Sequence, residues 1–211
     1  MKNKNLHIIV MPDSSIYLND ERVKWIYENL YGQYGRDFEV KLEDGKIVVY
    51  GSIMIPYQYD NLEVKIDEVY GNVVIDNYNN HIQGNLTSLE NFPTIIHGDF
   101  KCKWQPNLIS LKGGPKQVDG DFMCVACGLT SLDYLPEKIG RNLVVYSNKI
   151  KNLSPILESK ITGLIDIEYN PCESSQEYIN MLGPIPKFLE KYLSLKILPR
   201  LKKVGYFCGM D

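Results

Sequence analysis

Two cysteines three residues apart, Cys124 and Cys127, form the pairing in this sequence that most resembles a reactive motif. A Cys-x-x-Cys pair serves disulfide chemistry in a thioredoxin-like βαβ setting, and it serves zinc binding when a second ligand pair completes the set. Neither context lies nearby in the sequence. Cys124 follows a phenylalanine with one residue between them, as Cys102 does, so the simplest interpretation makes both of them small core residues.

The other residues that could act in catalysis are scattered. The three histidines are His7, His81 and His97, and none is paired with a nucleophile by its spacing. Asp166 and Glu168 lie two residues apart and could share acid–base work, but no cleft or third group is implied around them. The glycine-rich stretch 112–115 lacks the Gly-Lys-Ser/Thr ending of a phosphate-binding loop. The sequence therefore predicts no catalytic residue, no metal site and no cofactor.

The composition is that of an ordinary globular protein. Of 211 residues, 44% are apolar and 23% are charged, and the net charge is -3, so no strong positive field attracts nucleic acid or an anionic membrane. No apolar run approaches the roughly 18 residues that span a bilayer, and the N-terminus lacks the apolar core of a signal peptide. Five cysteines, an odd number, agree with a reducing compartment. We expect a cytoplasmic protein that binds neither membrane nor nucleic acid.

A repeat organises the middle of the chain. One tetrapeptide recurs with steps of 22, 21 and 21 residues, as Leu86-Thr-Ser-Leu89, Leu108-Ile-Ser-Leu111, Leu129-Thr-Ser-Leu132 and Ile150-Lys-Asn-Leu153. A second block, of the form Ile/Val-x-Gly-x-Phe or a close variant, begins at Ile96, Val118, Ile139 and Ile161, with a degenerate copy at Val69. A period of roughly 20 to 29 residues with regular leucines is typical of a leucine-rich-repeat solenoid.

Three segments follow from the repeat. Residues 67–170 are predicted to form a leucine-rich-repeat solenoid of about five coils, an α/β fold with a short curved parallel sheet. Residues 1–66 are predicted to form a small α+β cap, which includes a strand at 6–11, and residues 171–211 a helical C-terminal cap, because the open ends of a solenoid expose its core. The basic residues between 187 and 203 fit either a solvated helix face or a contact with a polyanion.

The N-terminal segment carries two local signals. Asn19 or Asp20 is predicted to cap a helix that runs to residue 31. Its buried face, from the spacing i, i+3, i+4, i+7, i+8, comprises Val23, Ile26, Tyr27, Leu30 and Tyr31. The sequence Asp44-Gly45 between two apolar runs predicts a β-hairpin, since both central residues of such a turn must reach positive φ.

Alternation along the repeated strand separates an inward from an outward set of side chains. The inward set is apolar throughout: Val73, Ile75, Phe100, Cys102, Phe122, Cys124, Leu143, Val145, Ile165 and Ile167. The candidate binding residues are the outward Lys101, Lys103, Met123, Val125, Val144, Tyr146, Asp166 and Glu168, with Trp104 just after its strand. This row passes from basic through apolar to acidic, as in the centre and rim of a protein interface. The alternatives are that a cap loop or a second subunit covers the apolar residues, and that Trp104 packs on a neighbouring loop.

The repeat also resembles a known family. Residues 135–153, Leu-Pro-x-x-Ile-x-x-x-Leu-x-Val-x-x-Asn-x-Ile-x-x-Leu, resemble the short leucine-rich repeat of secreted bacterial effectors, and residues 86–129 resemble the leucine-rich-repeat proteins of tailed bacteriophages. The resemblance covers about residues 44–180 and implies the solenoid fold. It departs from the family pattern at two places: the asparagine after the strand, kept at Asn148 and Asn170, is Cys127 in one coil, and an extra residue lies around Gln105 in another.

These observations favour a non-enzymatic protein-binding module. The leading hypothesis is a phage-encoded protein that docks a bacterial host or defence protein on its concave sheet in the host cytoplasm, and inhibition of that protein is one role that fits. One alternative is a structural component of a virion or scaffold. Another is an enzyme with its site in the N-terminal unit around His7, Tyr17 and Glu21. The exposed edge of the stack also allows self-association.

Overall fold

The computed structural model describes residues 20–75 and 83–171. One α-helix, α1, spans Glu21–Asn29, and two short 3-10 helices span Gln33–Gly35 and Ser154–Leu157. The strands are β1 (Tyr31–Gly32), β2 (Glu39–Glu43), β3 (Lys46–Tyr50), β4 (Ile53–Met54), β5 (Glu68–Tyr70), β6 (Val73–Ile75), β7 (Ile95–Ile96), β8 (Phe100–Lys103), β9 (Gln117–Val118), β10 (Phe122–Val125), β11 (Lys138–Ile139), β12 (Leu143–Val144), β13 (Lys160–Ile161) and β14 (Ile165–Asp166). The predicted strand at 6–11 and the predicted C-terminal helices lie outside the described residues.

The described strands form two sheets that run along the stack. Sheet A has the order β1-β4-β6-β8-β10-β12-β14, and sheet B has the order β13-β11-β9-β7-β5-β3-β2. At the ends of the sheets, β1 pairs antiparallel with β4, and β2 pairs antiparallel with β3. All other pairings within the described ranges are parallel. Each coil gives one strand to each sheet, so that β3 and β4 form the first pair and β13 and β14 the sixth. From the first pair to the sixth, the chain makes about five turns of a β-solenoid. The predicted solenoid is confirmed, and the structure adds a second parallel sheet to the one that was predicted.

The register of sheet A follows the repeat in the sequence. Phe122 pairs with Phe100 on one side and with Leu143 on the other, and Leu143 pairs with Ile165. The inward set is buried, except that Ile165 is half-buried. The rings of Phe100 and Phe122 stack with their centroids 5.1 Å apart. Identical or similar apolar residues therefore lie over one another from coil to coil and form one continuous core.

The N-terminal helix begins where the sequence predicts. Asp20 is the N-cap, and its Oδ1 accepts a hydrogen bond from the backbone N–H of Arg22 at 2.9 Å. The prediction that Tyr27 and Tyr31 are buried is wrong, since 44% of the surface of Tyr27 and 62% of the surface of Tyr31 are exposed. The helix ends at Asn29, so Tyr31 belongs to β1. Val23, Ile26 and Leu30 are buried as predicted.

The hairpin joins this helical unit to the solenoid. Asp44 and Gly45 have φ of 51° and 78°, and β2 pairs antiparallel with β3, which confirms the predicted turn. On its other edge β3 pairs in parallel with β5, and β4 pairs in parallel with β6. The stack of strand pairs therefore begins at residue 46.

Candidate binding surface

The predicted binding residues lie together on the outer face of sheet A, which we define as the side of β8, β10, β12 and β14 turned away from the core. The half-buried residues of this face are Lys101, Lys103, Met123, Val144, Tyr146, Asp166 and Glu168. Lys101 pairs with Met123, Met123 with Val144, and Val144 with Asp166 in the strand register. One row across four coils thus runs from a basic residue through two apolar residues to an acidic one.

Val125 was predicted to be exposed on this face, and that prediction is wrong, because only 3% of the residue is exposed. The register places Val125 beside Lys103, and the backbone N–H of the next residue, Ala126, donates to the carbonyl of Tyr146 at 3.3 Å. A short side chain between two longer ones in the same column loses its access to water. The apolar centre of the face is therefore made by Met123, Val144 and the ring of Tyr146.

The basic end of the face includes an internal ion pair. Lys101 Nζ lies 2.7 Å from Asp99 Oδ2, and the Arg141 guanidinium contacts Asp99 and lies 3.4 Å from Asp121 Oδ2. Asp99 is 8% exposed, and burial alone would raise the pKa of its carboxyl. The Lys101 ammonium, the Asp121 N–H and the Arg141 guanidinium outweigh that effect and lower the pKa. The charge of Lys101 is consequently balanced within the protein.

A ladder of polar side chains borders the face, and the sequence analysis did not identify its role. A side-chain oxygen of each coil accepts a hydrogen bond from the backbone N–H at the same position of the next coil. The acceptors are Ser52, Asn72, Asp99, Asp121 and Asn142, and the donors are Asn72, Asp99, Asp121, Asn142 and Leu164, at 2.8 to 3.0 Å. The signal in the sequence was the recurrence of Asn or Asp directly after the repeated glycine or Arg141. We call this set the Asx ladder.

A left-handed corner follows each strand of sheet A from β8 onwards. Trp104, Ala126, Ser147 and Tyr169 occupy this corner with φ of 58°, 51°, 55° and 57°. Trp104 is 36% exposed and Tyr169 is 75% exposed, at opposite ends of the row. These two aromatic residues directly follow Lys103 and Glu168 in the chain. Trp104 was predicted to be near this face, and Tyr169 was not.

The carboxylates at the acidic end lie on the predicted side of β14. Asp166 Oδ1 accepts a hydrogen bond from the backbone N–H of Glu168 at 3.2 Å, and both residues are half-buried. This contact fixes the local turn and leaves Glu168 as the terminal negative charge of the row. The pair supplies charge to the surface.

Polar side chains just after the left-handed corner accept hydrogen bonds from backbone N–H groups, both in the coils that have an asparagine there and in one that has a glutamine. Asn148 Oδ1 accepts from the Leu129 N–H at 3.3 Å, and Asn170 Oδ1 accepts from the Ile150 N–H at 3.0 Å. Gln105 takes the same role, because its Oε1 accepts from the N–H of Leu86 at 3.0 Å. At the Cys127 coil the Leu108 N–H instead donates to the Gln105 carbonyl, at 3.0 Å. The extra residue near Gln105 therefore closes a turn that replaces the missing asparagine.

The described thiols are buried. Cys102 and Cys124 belong to the core, as predicted, and Cys127 Sγ lies 3.9 Å from Cys102 Sγ. Burial raises the pKa of the Cys124 thiol, which keeps it protonated and unreactive. Cys127 Sγ lies 3.7 Å from the carbonyl oxygen of Cys102 and 3.6 Å from that of Val125, so its single S–H can donate to either one. Within residues 20–75 and 83–171 no group of His, Cys, Asp or Glu side chains could hold a metal ion.

The hypothetical enzyme site in the N-terminal unit stays a prediction, because His7 and Tyr17 lie outside the described residues. Glu21 is an exposed residue in the first turn of α1, and its carboxylate lies 3.7 Å from Lys24 Nζ. His81 also lies outside the described residues. His97 lies beside sheet B, among residues of that sheet.

Comparisons with known proteins leave the surface as the main guide to function. No family model matches the chain, and searches of curated proteins and of solved structures gave no match. In the two described ranges, none of the helices has both the length and the apolar character needed to traverse a bilayer.

Proposed function

We propose that this chain is a non-enzymatic protein-binding module of the leucine-rich-repeat kind, which docks a partner protein on the outer face of sheet A. The observation that supports it is the ordered row from Lys101 and Lys103 through Met123 and Val144 to Asp166. Solenoids commonly bind through the surface that their stacked strands form. An apolar centre with charged ends is the arrangement expected of an interface with a few energetically dominant contacts.

The row implies the chemistry of the partner. The basic end of the row, Lys101 and Lys103, selects an acidic group on the partner, and Lys101 also pairs with Asp99 within the protein. Met123, Val144 and Tyr146 select an apolar or aromatic group, and Glu168 with Asp166 selects a basic one. The resemblance of the repeat to bacteriophage leucine-rich-repeat proteins supports a bacterial host protein as the partner, bound in the host cytoplasm and inhibited by the contact.

Affinity capture tests the proposal. The full chain, immobilised and incubated with bacterial lysate, is expected to retain a stoichiometric partner identified by mass spectrometry. Lys103→Glu and Tyr146→Ala should each reduce that capture at least tenfold, which is the effect of losing about 1.4 kcal/mol. The matched controls, Lys160→Glu and Tyr134→Ala, make the same changes on exposed residues away from this face and should capture the partner like the wild type. Equal capture by all four variants would rule out the outer face of sheet A.

A further inference from the structure

His97 lies between two carboxylates contributed by neighbouring coils. Its Nε2 is 2.6 Å from Glu68 Oε1, at the start of β5, and its Nδ1 is 2.9 Å from Asp119 Oδ2, just after β9. His97 itself directly follows β7. The ring therefore bridges three successive coils along sheet B, on the sheet opposite the proposed binding face.

The number of ring protons decides whether both contacts are favourable. An ionised carboxylate can only accept hydrogen bonds, and a neutral imidazole has one N–H donor. In the neutral ring, one of the two nitrogens would turn its lone pair towards a carboxylate oxygen. The imidazolium donates from both nitrogens, so only the protonated ring satisfies Glu68 and Asp119 together.

A stack of rings holds the imidazole in this position. The His97 ring stacks on Tyr70 with the centroids 4.3 Å apart, and Tyr70 stacks on Tyr50 at 4.9 Å. Lys41 Nζ, in the hairpin, lies 4.6 Å from the centroid of the Tyr50 ring. A cationic His97 over the face of Tyr70 also gains a cation–π interaction.

We propose that His97 is a protonation-dependent clamp that ties the coils of β5, β7 and β9 together when its ring is charged. The titratable and charged groups that face it are Glu68 and Tyr70 from β5 and Asp119, and Asp119 is itself contacted by Lys138 Nζ from β11 at 2.8 Å. The Lys138 ammonium lowers the pKa of Asp119 against the opposing effect of burial, which keeps this carboxylate ionised.

The direction of the pH dependence follows from the environment of the ring. Burial lowers the pKa of His97, but the hydrogen bonds that the ring donates to Glu68 and Asp119 outweigh burial and raise the pKa above the ordinary histidine value. A pKa that is higher in the folded than in the unfolded chain stabilises the fold fully below the unfolded value of roughly 6.5. This stabilisation is lost as the pH rises through the folded-state pKa.

The histidine titration tests the clamp directly. In the full chain with 13C-labelled histidine rings, three ring signals are expected, and the one missing from His97→Gln belongs to His97. His7→Gln and His81→Gln assign the other two, so His97 is identified even if His97→Gln does not fold. We expect His97 to titrate above roughly 6.5, and Glu68→Gln and Asp119→Asn each to lower its midpoint while the other two histidines stay unchanged.

Thermal unfolding supplies the second readout. His97→Gln should lower the unfolding temperature more at about pH 5.5 than at about pH 8.5, because the contribution of the charged ring is lost as the pH rises. A His97 midpoint at or below roughly 6.5 in the wild type would overturn the clamp. So would a midpoint that neither carboxylate substitution lowers.

Discussion

The backbone N–H of Asp121 donates a hydrogen bond to Oδ1 of Asp99, one coil earlier in the stack, at 3.0 Å. This contact is one step of the Asx ladder, in which each side-chain oxygen satisfies a backbone donor that the short strands leave unpaired. The ladder fixes the spacing of the coils at the edge of the proposed binding face. Four predictions about the ladder and the neighbouring turns can be measured without knowing the partner.

Removing a ladder acceptor should destabilise the stack. Asp99→Ala leaves the partly buried N–H of Asp121 without its acceptor, so we expect the free energy of unfolding to fall by about 1–3 kcal/mol. Asp99→Asn keeps an oxygen acceptor, as Asn72 and Asn142 do at their steps, and should cost less. Urea denaturation compares the two variants. Equal losses would mean that the ladder bond contributes nothing beyond the charge.

Protonation of the Asp99 carboxylate should lower the stability of the protein in acid. Its three partners hold the pKa of Asp99 below the ordinary value against the opposing effect of burial, so the ionised carboxylate stabilises the fold above the unfolded pKa of roughly 3.9. That contribution disappears as the pH falls through the lower folded-state pKa. Asp99→Asn should therefore lose less stability than the wild type between about pH 5 and about pH 2. Parallel stability curves for the two proteins would contradict this.

The glycine before Asp121 is required by close packing. A Cβ on Gly120 would lie 2.2 Å from Asp99 Oδ1 and 2.7 Å from the carbonyl oxygen of Gly98. Gly120 does not have positive φ, so its role is to let neighbouring coils approach. Gly120→Ala should destabilise the protein by about 1–3 kcal/mol, as expected when extra atoms enter a packed region. A thermal unfolding temperature equal to that of the wild type would show that the coils can separate without cost.

At the left-handed corner, a change from alanine to glycine should maintain or raise the stability, whereas the change from glycine to alanine at Gly120 should lower it. Ala126 has φ of 51°, a conformation that costs a non-glycine residue roughly 1–2 kcal/mol. Ala126→Gly removes that strain but adds roughly 0.4–1 kcal/mol of unfolded-chain entropy, so we expect no loss of stability and up to about 1 kcal/mol of gain. Ala126→Val should destabilise, because a β-branched side chain fits this conformation poorly. Denaturant midpoints in the reverse order would exclude a left-handed corner at this position.

The sequence predicts the features that repeat with regular spacing. The inward column around Phe100 and Phe122 follows from the period and from alternation, and the hairpin at Asp44 follows from the demands of its turn. The second sheet was missed because strands such as β7 and β9 have two residues each, which is too short for an alternating pattern to emerge.

Contacts between coils of different length could not be predicted from a regular repeat period. Glu68 and His97 are 29 residues apart, whereas His97 and Asp119 are 22 apart, so no constant period relates the three groups of the clamp. The burial of Val125 was not predicted, because alternation along one strand does not include the side chains of neighbouring coils. The Asx ladder was visible as a recurring Asn or Asp, but its acceptor role requires the distance between coils.

The proposed binding face exists only if the coils stack in register with Met123 and Val144 side by side on the outside of sheet A. Nuclear Overhauser contacts between the Met123 methyl and the Val144 methyls measure this arrangement most directly. We predict a strong cross-peak between these methyls, and a second set of cross-peaks between the rings of Phe100 and Phe122. A folded chain in which the Met123 methyl instead contacts the ring of Phe122 would place it in the core and contradict the account.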